Sequence, residues 1–155
     1  MQRSNDRFLT THVGSLARPQ GLLELMLARE QGEDYDQQAF QASVEQAVTD
    51  VVRRQGEAGI DVICDGEQGK SSFLTYVAER LGGFETRDEE GEDLWKESSE
   101  TLAFPEFYEA HKRYREGIVA RPVQLVCTGP LSYTGQDALE RDIATIKAAT
   151  DEVAS

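Results

Sequence analysis

The chain has 155 residues, one domain's worth. It carries 16 Lys and Arg against 29 Asp and Glu, a formal net charge of −13, which excludes a general nucleic-acid binder because polyanions are held mainly through Lys and Arg. Hydrophobic residues make up 39%, enough for a core, and no apolar run approaches the ~20 residues needed to cross a bilayer.

The N-terminus, MQRSNDRFLTTHVGS, lacks the apolar stretch of a secretory signal. Two cysteines, Cys64 and Cys127, are too few for a disulfide framework, so a cytoplasmic setting is expected, with both thiols buried in the core. No repeat of solenoid length is present. Phe8 to Val13 is the first strand-length, β-branched run. After Pro19, the leucines 22, 23, 25 and 27 with Met26 predict a short helix. Asp36 is a good N-cap for a second helix, on which Phe40, Val44, Ala47, Val48, Val51 and Val52 recur at helical spacing. That helix is expected to end near Ala58, with Gly59 as its left-handed stop. Ile60 to Cys64 follows at once as a second strand, a tight join typical of βαβ units.

SSFLTYVAERL, Ser71 to Leu81, reads as a third helix closed by Gly82 and Gly83. Asp88 to Asp93 and Lys96 to Glu100 read as a solvated loop. Phe104 to Arg115 reads as a helix with Phe107, Tyr108, His111 and Tyr114 near one face. Arg121-Pro122 leads into a third strand, Val123 to Cys127, and a last helix runs from about Asp137 to Ala149.

Strands alternating with helices predict an α/β fold with a parallel sheet. Three strands bury both faces of a sheet poorly, whereas a closed barrel needs eight strands and ~250 residues. The expectation is therefore a partial (β/α)8 TIM barrel: its first three strands with their helices, an insert after strand 2 at about 82–120, and residues 1–155 as the N-terminal portion of one catalytic domain. A complete small open sheet is the competing architecture.

Each predicted strand ends in glycine beside a polar side chain: Gly14-Ser15 after Val13, Asp65-Gly66-Glu67, and Thr128-Gly129-Pro130. Parallel α/β folds bind ligands at these ends, although βα turns favour glycine in any case. Backbone N–H groups at Gly14 and Ser15 suit a carboxylate, and the Glu67 carboxylate suits an ammonium group. Together they could hold both ends of a free amino acid. An exposed loop acid is the plainer reading of Glu67, and a structural role is the plainer reading of His12.

The runs TTHVGSLARP, GIDVICDGEQGK and RPVQLVCTGPLSYTG, in this order and spacing, resemble the C-terminal catalytic barrel of cobalamin-independent methionine synthase. They resemble more closely its single-barrel relatives, the 5-methyltetrahydropteroyltriglutamate–homocysteine methyltransferase-like proteins. The resemblance covers nearly the whole chain. It implies a (β/α)8 barrel and methyl transfer to the thiol of homocysteine, with zinc holding the sulfur as a thiolate. It also implies that Val13, Gly14, Ser15, Asp65, Glu67 and Thr128 bind the substrate. The family's zinc ligands, a His-x-Cys pair, an acid and a further Cys, fall on later strands beyond this chain, and none of the residues here is expected to ligate metal or to be catalytic. The family's folate-binding Arg-Cys-x-x-Pro-Pro segment is absent, and Gln68-Gly69-Lys70-Ser71-Ser72 replaces a basic stretch containing Asn and Asp. The donor, a folate or another methyl carrier, and the exact thiol stay open. A coenzyme M-type alkyl transferase, a uroporphyrinogen-decarboxylase-like barrel and a fragment that needs a partner chain are the competing functions. The missing barrel half is the expected protein partner.

Overall fold

The computed structural model describes residues 4–87, 98–115 and 124–154. The pairing of two long helices organises it. Pro19, extended at φ −60° and ψ 145°, precedes α1 (Gln20–Gln31), and its carbonyl accepts from the N–H groups of Leu22 and Leu23 at 3.1 Å. Asp36 caps α2 (Gln37–Glu57) as expected: its Oδ1 accepts from the N–H groups of Gln38 and Ala39 at 2.9 and 3.0 Å. Leu22 and Met26 of α1 bury against Phe40 and Ala47 of α2, and Tyr35 stands edge-on to Phe40 at 5.9 Å. The far half of α2 turns another part of its apolar face, Val48 and Val52, onto Ala149 and Ile146 of α6 (Gln136–Ala154), with Ile63 between. The 3.6-residue spacing of these side chains gives α2 two partners along one helix.

The first helix pair carries the chain from one extended segment to the next. Gly59 takes the left-handed conformation, φ 75°, and the chain leaves α2 directly into the segment 60–64. This segment meets the segment 8–13 in parallel, but through a single bridge, Thr11 with Val62, rather than along two full strands. Side chains supply the rest of the ladder. Thr11 Oγ1 donates to the Val62 carbonyl at 2.7 Å, and Asp61 accepts from the Thr10 N–H and hydroxyl at 2.9 and 3.1 Å. On the other side, the Gln55 amide acts as a surrogate strand residue: its Oε1 accepts from the Cys64 N–H at 3.0 Å and its Nε2 donates to the Cys64 carbonyl at 2.8 Å.

The expected third parallel strand is overturned. Its ladder partner is β1 (Leu81–Arg87), and the two run antiparallel, with Phe84 opposite Cys127 and Arg87 opposite Gln124. The strand is also longer than expected, since β2 spans Gln124–Tyr133, so Thr128, Gly129 and Pro130 lie inside it and not at its end. The reason is local. The third helix, α3 (Phe73–Arg80), is capped by the Ser72 hydroxyl at 3.1 Å and stops at Leu81, whose φ of −120° is already extended. Gly82 and Gly83 do not open a loop. The ladder register slips between Gly82 and Phe84, and Gly83, at φ 93°, lets β2 come so close that a Cβ there would stand 2.5 Å from the Pro130 carbonyl oxygen.

Beyond β1 come α4 (Ser99–Ala103), which takes in the end of the stretch expected to be loop, and α5 (Pro105–Arg115). On α5 Phe107 meets Tyr108 edge-on at 5.3 Å. Asp88 to Asp93, Arg121-Pro122 and the side chains of His111 and Tyr114 lie outside the described residues. Among the described residues the architecture is mixed, with helices packed beside a two-stranded antiparallel sheet. No helix among them is long and apolar enough to cross a membrane.

Candidate functional site

The Thr11–Val62 bridge sets two loops side by side, residues 13–18 and 65–70. Backbone hydrogen bonds then stitch them together. The Leu16 N–H donates to the Gly66 carbonyl at 2.9 Å, and the buried Gln68 amide donates to the Leu16 carbonyl at 3.2 Å. The second loop turns sharply. Gly66 has φ 60° and Glu67 φ 56°. Gly66 is required twice over, because a Cβ at that position would meet Leu16 side-chain atoms at 3.0 and 3.1 Å. Glu67 is the only non-glycine with positive φ among the described residues, a conformation that costs about 1–3 kcal/mol and persists only where surroundings impose it.

Those surroundings are polar. Asp65 closes an Asx turn by accepting the Glu67 N–H on Oδ1 at 3.0 Å, and its Oδ2 takes the Lys70 ammonium at 2.8 Å. Burial disfavours the Lys70 charge. The bond to Asp65 and the charges of Asp65, Tyr76 and Asp142 outweigh that cost, and the Lys70 pKa lies above the usual lysine value. Lys70 also stands over the Tyr76 ring at 5.1 Å, whose other neighbour is Arg80 at 4.0 Å, itself paired with Asp142 of α6 at 2.8 Å. The turn is thereby tied to α3 and α6. A cavity of about 140 Å³ lies behind it, lined by Asp65, Lys70, Arg29, Phe40, Arg80 and Asp142 among others.

At the front of the turn the Ser15 hydroxyl donates to Glu67 Oε2 at 2.6 Å. The first and second loops thus meet through the two side chains expected to serve opposite ends of one ligand. Gly14 has φ 95°, and among the described residues no protein acceptor meets the backbone N–H of Gly14 or Ser15. His12 reaches back to its own loop, its Nε2 donating to the Gly14 carbonyl at 3.0 Å. Val13 is 87% exposed beside it.

Five of the six residues expected to bind substrate, Val13, Gly14, Ser15, Asp65 and Glu67, are brought together here. Thr128 is exposed within β2, and no hydrogen bond among the described residues joins it to this cluster. Sequence reasoning met Gln68 and Lys70 only as part of a stretch that departs from the family, and gave Arg18 no role. The dipeptide Arg18-Pro19 was the available signal, since a residue before proline is held extended and its side chain is aimed accordingly.

The thiols are not the buried pair expected. Cys64 is half-buried, with Sγ 3.6 Å from Gln55 Oε1, and Cys127 is exposed on β2, where its Sγ donates to the Gly129 carbonyl at 3.4 Å. Among the described residues no three His, Cys, Asp or Glu side chains are grouped so as to hold a metal ion. This donor set does not fit a thiolate-binding zinc, which needs at least three protein ligands.

A family model described as the catalytic domain of cobalamin-independent synthase matches residues 8–154. The chain belongs to that family. A methionine synthase of Sulfolobus acidocaldarius is 40% identical over 75 residues, 48% of this chain and 22% of the relative. A methionine synthase of Pyrococcus furiosus is 35% identical over 75 residues, again 48% and 22%. A 5-methyltetrahydropteroyltriglutamate–homocysteine methyltransferase of Thermotoga petrophila is 26% identical over 154 residues, 88% of this chain and 20% of the relative. The chain thus spans about a fifth of the length of these relatives.

Proposed function

We propose that this chain contributes the amino-acid-binding part of a cytoplasmic methyltransferase that acts on the thiol of homocysteine. The observation that supports it most directly is the 2.6 Å contact between Ser15 and Glu67, made by a glutamate held in a left-handed backbone conformation. In this reading the Glu67 carboxylate receives the substrate ammonium. The substrate carboxylate is taken by the N–H groups of Gly14 and Ser15. Asp65 holds the turn through the Glu67 N–H, and Val13 borders the mouth. Thr128 is assigned to the same site on the family resemblance alone.

The same reading makes residues 1–155 the N-terminal portion of a TIM-barrel catalytic domain, with about 82–120 inserted. It is supported by the order of segment 8–13, α1, α2 and segment 60–64, which meet as a parallel unit. Zinc would hold the homocysteine sulfur as a thiolate, with ligands from residues other than these 155. The methyl donor, a folate or another carrier, would be held there too. A uroporphyrinogen-decarboxylase-like site would present arginines to substrate carboxylates. Arg18, the arginine nearest these loops, instead spends its donors on loop carbonyls.

Calorimetric titration of the chain with L-homocysteine and with N-acetyl-L-homocysteine, under reducing conditions, tests the reading. Losing a charge-assisted hydrogen bond costs about 1.5–3 kcal/mol, so Glu67→Gln is expected to weaken L-homocysteine tenfold or more. The acetylated compound, which lacks the ammonium, is expected not to bind. Equal binding of the two thiols would refute the assignment of Glu67.

A further inference from the structure

We infer that Arg18 is a positioning residue, a guanidinium clamp that holds the 65–70 turn in the shape that brings Glu67 to Ser15. The inference deepens the amino-acid-binding reading above and rests on it for its functional meaning. Its geometry stands alone.

Arg18 donates from Nη2 to the Glu67 carbonyl at 2.8 Å and to the Lys70 carbonyl at 2.6 Å, and from Nε to the Gln68 carbonyl at 3.3 Å. One side chain thus gathers three carbonyls of a four-residue stretch. Only arginine has this reach, because its donors are arranged in a rigid planar fork, whereas a lysine is a point charge on a flexible stem. The three acceptors are neutral. The full positive charge is therefore turned to holding backbone, with the Glu67 carboxylate near enough to be felt as its counter-charge. Burial is the stronger influence and pulls the Arg18 pKa below the ordinary arginine value, against the charge of Glu67.

The clamp is pre-aimed. Pro19 confines Arg18 to extended backbone, and the same proline opens α1, so the root of the side chain is anchored to the helix that packs on α2. The clamp also acts where the chain is least willing. Glu67 is the strained residue, and its own carbonyl is one of the three held. Without the guanidinium these carbonyls would turn to water, and Glu67 would relax toward right-handed backbone. Its side chain would then swing away from the Ser15 hydroxyl. Asp65 braces the same turn from the N–H side, so Arg18 and Asp65 hold the peptide units around Glu67 from opposite faces.

The test uses the isotopically labelled 155-residue chain. Scalar couplings and cross-correlated relaxation report the backbone angles of Glu67 without ligand, and calorimetry reports L-homocysteine binding. In Arg18→Ala, Glu67 is expected to leave the left-handed region and affinity to fall at least tenfold, while the helical circular dichroism stays that of the parent. Guanidinium chloride at millimolar concentration, but not methylammonium chloride, is expected to restore both. If Arg18→Ala fails to fold, Arg18→Lys takes its place, with the same loss of the Glu67 conformation and the same weakening expected. Retention of the left-handed Glu67 backbone in the folded variant overturns the clamp, whatever binds. Failure of the parent chain to bind L-homocysteine overturns the amino-acid reading instead, and the Glu67 angles still decide the role of Arg18.

Discussion

Asp61 ties the N-terminal segment to the rest of the molecule. It pairs with Arg7 and accepts from both the N–H and the hydroxyl of Thr10. The bond to Arg7 and then that to the Thr10 backbone hold its carboxyl well below the usual carboxylate range. The sign of the pH effect follows. A carboxyl with a depressed folded pKa stabilises the fold above its unfolded value, about 3.9, and that contribution is lost as pH falls further toward the folded pKa. Urea unfolding at pH 7 and at pH 3 should therefore show a larger acid loss in the parent than in Asp61→Asn. Equal losses would mean that the pair contributes nothing. The convergence of the Ser15 and Glu67 loops was expected from sequence, since both follow short β-branched runs, but the direct hydrogen bond between the two side chains was not. Nor was the conformation of Glu67, because only the Asp65 turn is local, whereas Arg18 and the stitching of the two loops act from some fifty residues away.

Among the elements, α2 is the one most completely prescribed by its own residues. Asp36 at the start, six apolar residues at helical spacing and Gly59 at the stop agree with one another, and the helix follows them. Removing the cap should show it. Asp36→Ala orphans the N–H groups of Gln38 and Ala39 and is expected to cost about 1 kcal/mol in chemical denaturation, with Asp36→Asn recovering most of it. β1 is the opposite case. LGGFETR offers two glycines and no alternation of apolar and polar residues, so it reads as a helix terminator. What makes it a strand is β2, whose close approach at Gly83 is a property of the pair and not of either sequence. Thr128 falls where the register slips: pairing with β1 runs through Cys127 and resumes at Ser132, beyond the Thr-Gly-Pro signal.

At the scale of the whole molecule, the described residues hold two apolar clusters that share α2. The parallel unit expected from the alternation of strands and helices survives only as one bridge reinforced by Asp61, Thr11 and Gln55. Phe8 stays 93% exposed and Val62 49% exposed on the bridged segments. Sequence periodicity reports which face of a segment is apolar but not which neighbour covers it, and this is why α2 was legible while the antiparallel pairing of β1 with β2 was not. The sharing of α2 has a kinetic corollary. Leu22, Met26 and Phe40 lie close along the chain, whereas Ala149 joins Val48 and Val52 only after a long loop has closed. In stopped-flow experiments Met26→Ala is expected to slow refolding, and Ala149→Gly to speed unfolding while leaving the refolding limb nearly unchanged. The order of assembly would then run from the helical hairpin outward, with the last helix docking onto a surface already formed.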